Sequence, residues 1–142
     1  MWVFVHALSG LSLGTLAPLG MALTVICALV LHLLLDLVPH WDYTRHRQRT
    51  LWASLDVVVS IAACATLALL LDLPSRAVVA AIVSALPDLD VFDAVLPSPA
   101  RRRWFPSHWE RFPHGKASPA FGIPVQIVVA FGSMIAVLAS ST

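Results

Sequence analysis

The stretch from His32 to Tyr43, HLLLDLVPHWDY, puts an imidazole and a carboxylate inside an apolar run and adds His40 and Asp42 just past a proline. His32 and Asp36 are four residues apart, so on a helix they share one face, about one turn from each other. Farther along, ALPDLD sets Asp88 and Asp90 behind Pro87, and a late polar loop carries His108 and His114. His6 lies in the first apolar run and Asp56 in the third. Imidazole nitrogen mixed with carboxylate oxygen is the donor set of zinc, manganese or iron sites. A carboxylate near a bilayer centre costs about 2.5–3.5 kcal/mol on insertion scales. Such groups therefore mark function once partners can be named, and a cation that neutralises them is one such partner.

The elements that must position these residues follow from composition. Of 142 residues, 58% are hydrophobic and 12% charged, with a mean hydropathy of +0.83, against about 25% charged in soluble domains. The expectation is one membrane-embedded helical domain over 1–142, all-α, binding membrane lipids as its surroundings. A formal net charge of +1 excludes general nucleic-acid binding, which needs a basic face. Cys27 and Cys64 sit in apolar runs without CxxC spacing and read as small apolar residues rather than a disulfide or zinc pair.

Five apolar segments are expected, at about 2–17, 19–38, 51–71, from near Arg76 to ALPDLD, and 119–139. APLG at 17–20 and DLPS at 72–75 are turn signals, and Pro87 should kink or end the fourth segment. The first run has no Lys or Arg before it, which favours a retained segment over a signal peptide. Gly122, Gln126 and Ala130 share a face and predict close helix packing in the last segment.

Topology follows from the basic residues. Arg45, Arg47 and Arg49 lie in one polar loop; Arg101, Arg102, Arg103, Arg111 and Lys116 lie in the other, and only Arg76 falls between. The positive-inside rule makes both loops cytoplasmic, giving a bundle of about five transmembrane segments, N-in and C-out, with a short first helix. Trp2, Trp41, Tyr43, Trp52, Trp104 and Trp109 fall in or beside the same end, as an interfacial belt would. In that arrangement His6, His32, Asp36, Asp88 and Asp90 reach similar depths from different segments. His40, Asp42, His108 and His114 hang above them. His46 reads as surface, Asp72 and Asp93 as helix-end charges, and Asp56 as a partner that orients a histidine.

The H-x3-D-x2-P-H-x-D string, the P-D-x-D and the late histidine pair resemble a family of small bacterial membrane-bound metal-dependent hydrolases, the YdjM-like group. That group is similar in pattern to zinc-dependent phospholipase C. The family often carries Thr before its first and last histidines, where this chain has Val5 and Pro113. The resemblance implies ligation by His6, His32, Asp36, Asp88, His108 and His114, and a location in the bacterial inner membrane with the site facing the cytoplasm. The expected function is a metal-dependent hydrolase of phosphoester or phospholipid substrates. Its divalent metal, zinc or else manganese or iron, would be held by His6, His32, Asp36, Asp88 and His114. Asp90 or His108 would act as general acid or base, with His40, Asp42 and Asp56 at the rim or behind the ligands. No Ser–His or Cys–His nucleophile pair stands out. The alternative is a non-enzymatic membrane protein that binds metal or protons for transport or for bundle order.

Overall fold

Proline and glycine end the apolar runs, and the helices stop there. The computed structural model describes residues 1–90 and 103–140, apart from the Asp90 side chain. It holds α1 (Val3–Leu16), α2 (Met21–Leu37), α3 (Arg49–Leu70), α4 (Ser75–Ala85) and α5 (Pro119–Ala139). Among the described residues there is no strand, only a single bridge between His40 and Lys116. Among the described residues the fold is all-α, with five α-helices at the five expected places. Asp93, Arg101 and Arg102 lie outside the described residues.

The breaks have local causes. Gly20 and Pro74 hold extended backbone at the starts of α2 and α4. Asp72 takes a positive φ of 48° in the DLPS turn, a conformation that Asp tolerates better than most side chains. Pro87 cannot donate a backbone hydrogen bond, and α4 gives way after Ala85 to a 3-10 turn, Leu86–Asp90.

α1 is the centre of the bundle. Val5 through Ser12 and Gly14 are buried all round, and α1 packs against each of the other four helices. Its closest neighbour is α4, because two glycines let the backbones meet. A Cβ at Gly10 would strike the Ala80 carbonyl and lie 2.8 Å from Ser84 Cβ; one at Gly14 would strike Ala77 Cα and the Arg76 carbonyl. His6, Gly10 and Gly14 are spaced by four and share a face. The same close approach therefore carries His6 to the C-terminal end of α4, where Asp88 follows.

Polarity is inverted relative to a water-soluble bundle. α2 turns Thr24, Ala28, His32 and Asp36 inward and Leu23, Ile26, Val30 and Leu34 outward. α3 buries Ala53 and Ser60 while Val58, Ile61, Leu69 and Leu70 are exposed. α5 buries Gly122, Gln126, Ala130 and Val137 and exposes Ile127, Val128, Phe131 and Ile135. Two helices, α3 and α5, are long and apolar enough to cross a membrane, and α1 and α2 are shorter apolar helices. At 11 residues, α4 is about 17 Å long, shorter than a bilayer core of about 30 Å.

Candidate metal centre

Four helix ends deliver the polar residues to one end of the bundle: the start of α1, the end of α2, the turn after α4, and the 3-10 turn Pro106–His108 before α5. Backbone pairing locks the two polar loops together. His40 N–H donates to Gly115 O at 2.6 Å, Ala117 N–H to His40 O at 2.8 Å, and Gly115 N–H to Asp36 O at 2.8 Å. Gly115 has to be glycine, since a Cβ there would overlap the Leu37 and Val38 carbonyls.

Inside this frame the donor atoms converge. His32 and Asp36 use their one-turn spacing, with Nε2 to Oδ2 at 3.1 Å. His6 Nε2 is 3.3 Å from Asp36 Oδ1 and 3.9 Å from Asp88 Oδ2. His108 Nε2 is 3.5 Å from Asp36 Oδ2, from Asp88 Oδ1 and from His32 Nε2. His32 Nε2 to Asp88 Oδ1 closes the group at 4.0 Å. His6, His32 and Asp36 are fully buried, and Asp88 nearly so.

These separations are those of ligands around one ion. Donors about 2.0–2.1 Å from a tetrahedral zinc lie about 3.3 Å from each other, and angular distortion spreads such pairs on either side of that value. Hydrogen bonding within the group is a poor substitute. His6 Nδ1 and Nε2, Asp36 Oδ2 and Asp88 Oδ2 are buried with no aligned hydrogen-bond partner, although their neighbours are near. Buried polar atoms left in that state cost about 1–3 kcal/mol each, and a cation among them would satisfy His6 Nε2 and the two carboxylate oxygens, though not His6 Nδ1 on the other side of its ring.

The ring tautomers agree, assigned from what the other nitrogen meets. His32 Nδ1 is 2.7 Å from Ser84 O, His40 Nδ1 is 2.8 Å from Val38 O, and His114 Nδ1 is 3.2 Å from Ser107 O. A carbonyl accepts only, so each Nδ1 carries the hydrogen and each Nε2 presents its lone pair. This is the usual outer support of a metal-binding histidine. His6 stacks on His32, with centroids 3.9 Å apart and planes inclined by 20°, and Phe105 covers the His32 edge. The Met1 α-amino group lies 3.1 Å from Asp36 Oδ1. Burial alone would lower its pKa, but the Asp36 carboxylate raises it above the usual value.

Not every expected residue falls in one group. His6, His32, Asp36 and Asp88 come together as expected. His108, expected as an acid or base, lies as close to both carboxylates as the ligand candidates do. His114 faces His40 instead, Nε2 to Nε2 at 3.0 Å, and this pair forms a separate group with Asp36. His40 is fully buried rather than at the rim; burial holds its imidazole pKa down to about 3, and burial likewise lowers that of His114. Asp42 accepts from Thr44 N–H and Oγ1–H and so shapes the loop. Asp56 accepts from the Val3 and Phe4 amides and from the Tyr43 hydroxyl, which fixes the start of α1 three residues before its histidine. The Asp90 side chain lies outside the described residues.

Two contributors were hidden in the sequence. Gln126, expected only as a packing residue, accepts from Trp2 N–H at 2.8 Å and donates to Trp41 O at 3.1 Å. It ties α1 and the first polar loop to α5. The carbonyls of Val38, Ser84 and Ser107 orient three imidazoles and carry no side-chain signal at all.

The group opens outward through Asp88, His108 and His114 into a cavity of about 260 Å³. Arg45, Arg103 and Lys116 line it with positive charge, and Asp42 and Glu110 add two acids. Tyr43 lines this cavity and also a smaller, almost wholly apolar groove formed with Trp2, Phe4, Trp52, Leu55 and Val59.

No family model, curated protein or solved structure matches this chain. The buried His/Asp groups could hold a metal ion.

Proposed function

We propose that the protein is an integral-membrane, metal-dependent hydrolase acting on phosphoester or phospholipid substrates at the cytoplasmic face of a bacterial inner membrane. The observation that carries the reading is the convergence of His6, His32, His108, Asp36 and Asp88, with nitrogen and oxygen atoms 3.1–4.0 Å apart and with His6 Nε2, Asp36 Oδ2 and Asp88 Oδ2 buried without an aligned hydrogen bond. A divalent cation held there, zinc by donor type, supplies Lewis acidity and an acidified water near neutral pH. His32 is locked by Ser84 O so that its lone pair faces the centre. His108 and Asp88 border both the centre and the open cavity, so an ion held by them would be within reach of an incoming group. Arg45, Arg103 and Lys116 in the wall of that cavity favour an anionic head group.

Membrane insertion is supported by the exposed apolar faces of α2, α3 and α5 and the buried polar stripes behind them. Five segments, N-in and C-out, put the arginine-bearing loops at the cytoplasmic surface. At the opposite end, Asp72 in the turn before α4 and Arg76 in the first turn of α4 are the only Asp, Glu, Lys or Arg among the described residues, which favours an interfacial site over a transport path.

The test is elemental analysis of the full chain purified in detergent at neutral pH, followed by turnover on a panel of phospholipids and soluble phosphoesters. Stoichiometric metal, and hydrolysis lost in His32→Ala and Asp88→Ala, are expected. A metal-free protein would refute the reading. Stoichiometric metal without turnover would leave only the binding role.

A further inference from the structure

We propose that the chain seats two metal ions, the second on His40 and His114, with Asp36 shared between the two seats. The inference rests on the reading above for its first ion and on separate atoms for its second.

Counting lone pairs separates the seats. The groups His6–His32–Asp36 and His32–Asp88–His108 both use His32. Its Nδ1 is committed to Ser84 O, so its one remaining nitrogen serves a single ion and these two groups describe one seat. The group Asp36–His40–His114 uses two nitrogens that the first seat never touches. A second ion is needed to engage them.

The His40–His114 contact calls for a cation on its own terms. The two Nε2 atoms face each other at 3.0 Å, while both Nδ1 atoms are committed to carbonyls, Val38 O at 2.8 Å and Ser107 O at 3.2 Å. Two nitrogen lone pairs brought this close repel unless a positive charge lies between or beside them. A shared proton would do this, but only if one of two buried imidazoles became an imidazolium. A divalent ion would do it with both rings neutral, the state metal ligation requires.

The frame around the pair is built rather than incidental. Asp36 and His40 belong to one chain segment and His114 to another, and three backbone hydrogen bonds between Asp36, His40, Gly115 and Ala117 join them. His114 also lines the cavity, so this seat, like the first, can meet an anionic oxygen ligand arriving there. Two ions sharing a carboxylate suit a displacement at phosphorus, where attacking and leaving oxygens both need stabilising. The substrate class this adds to the reading is a phosphate ester held across both ions.

Metal stoichiometry tests it. Full-length protein in detergent is stripped with chelator, reloaded with zinc, dialysed and analysed by mass spectrometry, with helicity of each variant checked by circular dichroism. Two equivalents are expected in the wild type. One should remain in His40→Ala, in His114→Ala and in their double variant, and one also in His6→Ala/His108→Ala. A wild type with one equivalent, undiminished in His40→Ala and His114→Ala, would overturn the second seat and leave the first standing. No metal in the wild type would overturn both. A readout on the unmutated chain covers variants that fail to fold: cobalt(II) absorption should saturate at two equivalents, and saturation at one would overturn the proposal.

Discussion

Asp56→Ala should loosen the bundle and the metal centre together. Its carboxylate accepts three hydrogen bonds, from Val3 N–H at 2.8 Å, Phe4 N–H at 2.9 Å and the Tyr43 hydroxyl at 2.9 Å. Hydrogen bonds to a charged group contribute about 1.5–3 kcal/mol each, and a carboxylate at a helix N-terminus adds about 0.3–1 kcal/mol. Val3 and Phe4 are only part-buried, while Tyr43 is buried, so water recovers some of the loss at the two amides, and a net cost of about 3 kcal/mol is expected. For a chain of this length that lowers Tm by about 10 °C. Asp56→Asn keeps an acceptor and should cost about half as much, and Tyr43→Phe, which removes one bond, about 1 kcal/mol. Because Asp56→Ala already breaks the tyrosine contact, the double variant should cost clearly less than the two single losses added. Thermal unfolding in detergent by circular dichroism reads the series, with bound metal measured alongside. A Tm for Asp56→Ala within about 2 °C of wild type, with metal retained, would refute the idea that this clamp sets the position of His6.

Gly115→Ala should cost about 1–3 kcal/mol as an overpacking change, and it should weaken metal binding more than its stability loss alone implies. Its Cβ meets backbone carbonyls of the α2 end; unchanged metal affinity would count against the loop pairing. Gln126→Leu fills the space but leaves Trp2 N–H and Trp41 O without partners, for a loss of about 2 kcal/mol in the same unfolding assay. Retention of wild-type stability would mean that water reaches both groups. Metal-free protein should lose stability as pH falls. In the folded chain the His40 pKa is about 3 and that of His114 is lowered, whereas in the unfolded chain both titrate near 6.5. The unfolded state therefore binds more protons below about pH 6.5, and each histidine contributes a slope of about 1.4 kcal/mol per pH unit toward the folded-state value. A Tm that stays flat between pH 7.5 and 5 would contradict this burial.

The positions of the five helices were legible because apolar runs and the proline and glycine between them act locally. Pro18, Pro74 and Pro87 interrupt or precede helices through their own missing N–H and fixed φ. The pairing of His32 with Asp36 was legible for the same reason, since one helical turn is a local distance. The convergence of His6, Asp88 and the two polar loops on one end followed from the alternation of long apolar segments. Gly10 and Gly14, each four residues after the last from His6, carried a further signal: small residues on the face of a buried histidine mark where another helix will come close.

What only the tertiary structure decided is how seven donor residues divide. Spacing along the chain says nothing about whether His108 or His114 meets Asp88, because both hang from one loop whose path depends on its pairing with the end of α2. That path is set by backbone hydrogen bonds at His40, Gly115 and Ala117, and the histidine tautomers by the carbonyls of Val38, Ser84 and Ser107. Backbone groups are the same at every residue, so a sequence cannot point to them. Residue types and helical periodicity determined that this chain gathers histidines and carboxylates at one end of an apolar bundle. Long-range backbone contacts decided that they form one five-donor group and one histidine pair, joined through Asp36.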